Sequence, residues 1–514
     1  MNFSRRRRRL FVWFSALILA VGAVVAVVPG LIRGGSGGAS PGAFQVKPYL
    51  QPGAEPDGSA PVLLWQTDDQ GAEWSVEVRA EAVQPGQPAP AWIATVRPIV
   101  RRVKHDGEVE FRLGRLALAK APKAFRLYRV ALAKAPKGGF RYRVLRSGMV
   151  EFEASVPALK ALGAAERFVV FGDCAAGTAG QRDIAFEAFR ARPDYVIVTG
   201  DIVYTRGRVS EYLDHFFPIY NADDAAPGSG VPLLRSTMIY AAPGNHDLIE
   251  ANLDRFPDAL AYFYYWALPL NGPVLAPGSA GAPLLKGSAE RQRAFKHAAG
   301  PAYPRMANFS FDRGPVHWTV LDANPYADWT DKALRAWLEA DLASPAAREA
   351  SWRLVAMHHP PFSSSKAHAD DQRMRVLSPV FEKAGVAVVF AGHVHNYQRS
   401  RPLKFTLGPP PADAREGKPF GPSGRVNGHW TLDTAFDGVS HTKPDGIIYV
   451  VTGAGGAKLY NREQHDRPAS WNDFTARFVS NVHSLTIVDV SSHSLTLRQV
   501  SASGVELDRI VLTR

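Results

Sequence analysis

The chain has 514 residues, 46% of them hydrophobic and 21% charged, with a single cysteine and a formal net charge of +12. That length and apolar content exclude a disordered chain and predict two or more folded units, and the lone Cys174 excludes any intrachain disulfide, so stability cannot come from covalent staples. The charge is unevenly placed: Arg5 to Arg9 are all basic, and fifteen Lys or Arg face three acids between Arg97 and Arg146, leaving the rest of the chain net acidic. Without clustered basic and aromatic residues in that remainder, nucleic acid is not expected at an active site. The basic stretch reads as a solvated face, with an anionic envelope surface as the alternative contact.

In chain order, residues 1–32 read as a signal peptide or N-terminal membrane anchor. Arg5 to Arg9 precede the apolar run Leu10 to Val28, which only Ser15 and Gly22 interrupt and Pro29-Gly30 closes. The run is longer than a usual signal core and no small-x-small cleavage pattern follows it, which favours an uncleaved anchor in the inner membrane over residues 10–28. Arginines on the cytoplasmic side then place everything after Gly30 outside, in the periplasm or beyond the cell. Arg8-Arg9-Leu10-Phe11 also fits a twin-arginine export signal. Residues 33–44 form a Gly/Ser-rich linker.

Residues 45–157 are expected to be all-β, from Val62 to Gln66, Trp74 to Arg79 and Phe140 to Val144, where alternation or β-rich composition has no helical competitor. Within them, residues 117–130 are followed at once by a near copy, 131–144, a tandem duplication of period fourteen that is too short to be a solenoid. Gly138-Gly139 before an alternating strand mark the second copy as the regular turn and strand, so the first copy is read as the extra one. From 165 to 514 strand and helix signals alternate, predicting an α/β fold. Segments 222–235, 267–305 and 402–445 are rich in Gly, Pro and Ala and are candidate substrate-rim loops.

Five short blocks in this second part carry the chemistry: Gly172-Asp173, Gly200-Asp201-Ile202-Val203-Tyr204, Gly244-Asn245-His246-Asp247, Val355-Ala356-Met357-His358 and Gly392-His393-Val394-His395. All but the third follow or end an apolar run, so their polar residues fall at strand ends, where short loops converge. Mixed oxygen and nitrogen donors of this kind suit iron, manganese or zinc, and the absence of thiolates disfavours a structural zinc site.

The set resembles the calcineurin-like metallophosphoesterases, and among them the purple acid phosphatases, with their D-x-G, GDxxY, GNH(D/E), VxxH and GHxH blocks. Phrases around Asn308 to Asp312, Val316 to Asp322 and Val451 to Gly456 agree with it. The resemblance implies a sandwich of mixed β-sheets flanked by helices, preceded by a fibronectin type III-like domain. It implies Asp201 as the bridge between two metals, with Asp173, Tyr204 and His395 on the first and Asn245, His358 and His393 on the second. Tyr204 would hold Fe(III), and the second ion would be Fe(II), Zn or Mn. In the wider superfamily the first block carries a histidine where this chain has Ala175, and a tyrosine ligand in the second block distinguishes the purple enzymes. The family glycine of the first block is displaced to Gly177, with Cys174 beside the ligand and turned into packing.

The function so implied is hydrolysis of small phosphomonoesters, outside the cytoplasm, by a metal-held hydroxide. His246, oriented by Asp247, would serve the leaving oxygen, and His368 would face substrate. The alternatives are a diester, nucleotide or phospholipid-headgroup hydrolase of the same fold, and a non-catalytic surface-anchored binding protein. The complete ligand set argues against the last. His317, between Val316 and Trp318, reads as a satisfied core histidine rather than a ligand.

Overall fold

The computed structural model describes residues 42–514 apart from 82–89, 105–111, 114–115, 118–123, 133–134, 137 and 276–278. The expected anchor and nearly all of the 33–44 linker lie outside the described residues. Among the described residues no helix is long and apolar enough to cross a membrane.

Up to residue 156 the regular elements among the described residues are all strands: β1 (Val46–Gln51), β2 (Val62–Thr67), β3 (Trp74–Ala80), β4 (Ile93–Val96), β5 (Ile99–Lys104), the two-residue β6 (Arg112–Leu113) and β7 (Leu116–Ala117), β8 (Ala124–Ala131), β9 (Phe140–Arg146) and β10 (Met149–Val156). Two four-stranded sheets, in the orders β1-β2-β8-β5 and β10-β9-β3-β4, make the sandwich. Alternation decides which face turns inward: Trp74, Val76 and Val78 are buried while Ser75, Glu77 and Arg79 are half-exposed. The centre is aromatic, with Trp65 stacked on Tyr128 at 5.1 Å and edge-on to Trp74 at 5.9 Å.

The strand of each copy of the duplication pairs within this sandwich. The strand of the first copy, β8, lies between β2 and β5, with Trp65 opposite Tyr128 and Val103 opposite Phe125. That of the second, β9, lies between β3 and β10 in the other sheet. Tyr128 and Val130, and fourteen residues on Tyr142 and Val144, are all buried. The same inward pattern therefore builds one inner strand of each sheet.

The rest is a layered sandwich of two larger mixed sheets. The first contains β11 (Glu166–Phe171), β12 (Tyr195–Val198), β13 (Met238–Ala241), β23 (Ser484–Val490), β24 (Ser494–Ser501) and β25 (Glu506–Thr513), in the order β13-β12-β11-β23-β24-β25. The second contains β14 (Phe309–Arg313), β15 (Val316–Leu321), β16 (Trp352–Met357), β17 (Val388–Ala391), β18 (Tyr397–Ser400), β21 (Ile448–Thr452) and β22 (Thr475–Val479), in the order β14-β15-β16-β17-β21-β18-β22. A hairpin of β19 (Leu403–Leu407) and β20 (Gly428–Leu432) is added beside it. Phe168 of the first sheet meets Trp318 of the second at 5.3 Å, and Trp318 meets Phe390 at 5.8 Å, so one aromatic core glues the two layers.

Strands β11, β12 and β13 are parallel, as are β15, β16, β17 and β21. Their carboxyl ends open on one edge of the layers, where α/β sheets bind ligands. Behind that edge, Glu166 and Arg313 form a buried ion pair at 2.8 Å, and His317 on β15 bonds Asp312 (2.8 Å) and Asp341 (3.3 Å), the satisfied core role expected of it.

Residues 42–514 form one compact body. The small sandwich is bound to the larger layers by backbone bonds from Leu50 to Leu234 and from Gly53 to Ala267 (both 2.8 Å). Side chains add to these: Tyr49 donates to the Tyr265 carbonyl, Tyr265 to Gln66 Oε1 (both 2.7 Å) and Arg101 to the carbonyls of Ala298 and Ala299. Segments 222–235 and 267–305 thus both contribute contacts to the sandwich. Segment 402–445 is tied to the loop that carries Asp371, through Gln372 bonded to Gly424 and Val426.

Candidate metal centre

Four sheet strands deliver ligands directly at their ends: β11 leads to Asp173, β12 to Asp201, β16 to His358 and β17 to His393, while β13 leads through Gly244 to Asn245. The chain turns sharply there. Asp173, Asp201 and His393 hold left-handed φ of 57°, 48° and 67°, a conformation that costs a non-glycine residue about 1–3 kcal/mol and that clusters at functional sites. Two motif glycines permit close approach: a Cβ on Gly244 would lie 2.2 Å from Asp201 Oδ1, and one on Gly392 would lie 2.6 Å from Asp173 Oδ2.

The side chains fall into two overlapping groups. In the first, the Tyr204 hydroxyl lies 3.2 Å from Asp173 Oδ1 and 3.0 Å from His395 Nε2, and His395 Nε2 is 3.3 Å from Asp173. Donor atoms of Asp173, Asp201 and His395 all lie within 4.8 Å of one another. In the second, His358 Nε2 is 3.1 Å from Asn245 Oδ1 and 3.2 Å from Asp201 Oδ1. Asp201 thus belongs to both groups. His393 donates its backbone N–H to Asp173 and sets its ring 5.1 Å from that of His358, but it directs Nε2 away from this cluster, toward Asp371 at 3.8 Å.

The donor set fits metal ions on protonation grounds. His358 Nδ1 faces the Thr199 carbonyl and His395 Nδ1 faces the Lys458 carbonyl, both at 2.8 Å. A carbonyl only accepts, so each Nδ1 carries the proton and each Nε2 presents a lone pair to the cluster. Around His358 that lone pair meets two further acceptor oxygens. Around His395 one phenolic proton serves a carboxylate and an imidazole. Such buried congregations of acceptors require a cation.

Ionisation shows the same demand. Burial alone would raise the Asp201 carboxyl, yet His358, His246 and His393 hold it well below the usual carboxylate range. Burial would lower His358, yet Asp201 and Asp173 push it up to about 9. Burial and the Asp173 and Asp201 carboxylates raise the Tyr204 phenol. A proton fills the place that a metal would take.

His246 is partly exposed beside Tyr204, ring centroids 4.6 Å apart; its Nδ1 donates to the Thr205 carbonyl at 2.8 Å, leaving Nε2 toward the cluster, 3.9 Å from Asp201. Asp247 does not orient this ring. Its fully buried carboxylate accepts from the amides of Gly244 (2.8 Å), Ile202 (3.1 Å) and Val203 (3.3 Å), clamping two ligand loops together. Burial and the neighbouring Asp201 push that carboxyl up to about 8, against those amides, which favour the ionised form. The expected His246–Asp247 pair fails because Asp247 points into the backbone turn of its own block. His368 is brought to the site, its ring 4.1 Å from that of His393. Cys174 is buried with Sγ against the Ile202 carbonyl, and burial pushes its thiol up.

Four further residues frame the centre without a sequence motif: the carbonyls of Thr199 and Lys458, Asp371, and Tyr460, which stacks on His395 at 4.0 Å and 10°. For Lys458 and Tyr460 a signal existed. Both follow the glycine-rich turn 453–457, whose amides bond back to the first ligand loop, Gly455 to the Gly172 carbonyl and Ala457 to that of Asp173.

The calcineurin-like phosphoesterase family pattern matches residues 166–397. Purple acid phosphatase 21 of Arabidopsis thaliana is 40% identical over 98 residues, 18% of this chain and 22% of its own. Phosphoenolpyruvate phosphatase of Allium cepa is 36% identical over 95 residues, 18% of this chain and 19% of its own. The chain thus spans about a fifth of the length of these curated relatives. Among solved structures, the purple acid phosphatase PPD1 from yellow lupin (Lupinus luteus) seeds superposes with a TM-score of 0.59 at 16% identity, covering 91% of this chain and 74% of that one. PhoD superposes with a TM-score of 0.51 at 14% identity, covering 92% and 89%. These two share the fold. The calcineurin-like phosphoesterase pattern thus lies across all five ligand blocks, and part of the chain is similar in sequence to purple acid phosphatases.

Proposed function

We propose that the protein is a binuclear metallophosphatase that hydrolyses small phosphomonoesters outside the cytoplasm. The observation that carries this reading is Asp201, whose carboxylate belongs to both donor groups, Asp173–Tyr204–His395 on one side and Asn245–His358 on the other. Tyr204 supports iron(III) in the first group, since a phenolate is a hard anionic donor; Fe(II), zinc or manganese suits the second. When bound, the two ions neutralise the phosphoryl charge and lower the pKa of a water.

The chain's own residues do the rest. Thr199 and Lys458 fix the tautomers of His358 and His395, so that both present Nε2. His246, with Nδ1 held by Thr205, carries any second proton on Nε2, the atom that faces the cluster, and can deliver it to a departing alkoxide. His368 faces the same opening beside His393. The arginine-led apolar segment over residues 10–28 supports an exported protein held at the inner membrane.

The test is phosphate release from an aryl monophosphate and from its bis-aryl diester by metal-loaded protein, with a visible spectrum and metal analysis of the same sample. Monoester turnover well above diester turnover, with iron bound and a broad visible band that Tyr204→Phe abolishes, is the expected result. A colourless iron-free protein would remove Tyr204 from its role, and preferential diester turnover would select the diesterase reading.

A further inference from the structure

Next to the second donor group, His359, Asp371 and His393 form a separate cluster, of which the two-metal reading uses His393 alone. His359 Nε2 lies 3.6 Å, and His393 Nε2 3.8 Å, from the same oxygen, Asp371 Oδ2. The two imidazole rings are 4.1 Å apart, and the three donor atoms all lie within 4.8 Å of one another. His359 and His393 are 2% and 7% exposed, and His393 Nε2 is buried with no hydrogen-bond partner.

The spacing is diagnostic. An N–H donor facing a carboxylate closes to about 2.7–3.2 Å. Ligands held about 2.0–2.2 Å from one tetrahedral ion stand about 3.3–3.6 Å from each other. Two imidazoles converging on one carboxylate oxygen at 3.6 and 3.8 Å are closer to the second arrangement. The other oxygen of Asp371 is already engaged, by Arg373 Nη1 at 3.0 Å, and Arg373 is tied in turn to the Pro422 carbonyl. Oδ2 is thereby held toward the imidazoles, as a metal-bound carboxylate is held by its outer neighbours.

We infer that His359, Asp371 and His393 form a third metal site for a zinc-like divalent cation. It adjoins the binuclear centre and takes His393 through Nε2, leaving Nδ1 for that centre. Two nitrogens and one carboxylate oxygen suit zinc and leave a fourth position open. The proton on Nε2 is released to solvent when the ion binds. In sharing His393 the inference rests on the proposed binuclear centre, but its measurement is separable from that reading.

The experiment is equilibrium dialysis of the full chain against zinc after iron loading, followed by metal counting per chain in wild type, His359→Gln and Asp371→Asn. Three ions in wild type, and one fewer in each variant with the visible band unchanged, is the expected result. Two ions in an iron-containing, coloured wild type would overturn the site, and this count decides even if a variant does not fold. Loss of the visible band in either variant would also overturn it, by assigning His359 or Asp371 to the binuclear centre. Absence of iron and colour in all three proteins would sink the binuclear reading alone, because a one-ion difference between wild type and variants still reports the third site.

Discussion

Among single residues Asp247 is the most informative, since it is no ligand and yet joins two ligand loops. Asp247→Ala would leave buried amides of Gly244, Ile202 and Val203 without an acceptor, each costing about 1–3 kcal/mol. A lowered thermal midpoint is expected together with a 10–100-fold loss of metal affinity, as for outer-shell partners generally. Asp247→Asn, which keeps an acceptor, should lose less of both; equal loss would point to the charge. The ligands themselves were legible in the sequence because each block sits where an apolar run stops, so strand end and ligand coincide. Asp371 was not, since it lies thirteen residues after His358 in a loop with no periodicity, and only folding brings it beside His359 and His393. Nor could sequence place the Asp247 side chain, because adjacency to His246 along the chain says nothing about a turn that sends the two side chains apart.

At the level of elements, β15 and the helix Lys332–Leu342 are joined through His317 and Asp341. Burial would lower the His317 imidazole, but its bonds to Asp312 and Asp341 outweigh this and push it up to about 9 from 6.5. The proton therefore binds the folded chain more tightly than the unfolded one. The stabilisation is complete below about pH 6.5, amounts to about 3 kcal/mol there, and is lost as pH rises through about 9. His317→Gln should melt well below wild type near neutral and acidic pH, and the gap should close in alkaline buffer; a gap independent of pH would refute the charged pair.

The small sandwich offers an element-scale test of its own. Deleting residues 117–130 removes β8 from between β2 and β5, so the variant should be insoluble or melt far lower. Unchanged melting would support the reading of the first copy as spare. Sequence revealed the repeat but not its use, because β8 pairs with residues 20 to 69 positions away along the chain.

For the whole molecule, the bonds from β1, Gly53, Gln66 and Arg101 to the larger layers predict one cooperative unit. Calorimetry should show a single transition for the two sandwiches. Tyr265→Ala removes a buried ring that touches Phe217 and Tyr212 at 5.0 Å and donates to Gln66. It should cost about 3–5 kcal/mol and lower that transition as a unit. Two resolved transitions in wild type would show that the sandwich is an independent appendage. Gly, Pro and Ala in segments 222–235 and 267–305 marked a departure from regular structure but could not show that both segments would contact the sandwich.

Two inner strands that share a sequence pattern invite a folding error in which one takes the other's slot. The turn residues oppose one direction of that exchange. Gly139 sits at φ 91°, where a Cβ would press within 3.1 Å of the Ala158 amide, and its counterpart fourteen residues earlier is Phe125. The first copy would carry Phe125 into that strained position and so fits the slot of the second poorly. A single glycine pair thus acts as a gate on misassembly, and Gly139→Ala should widen it, favouring trapped chains during refolding more than it lowers the stability of those already folded.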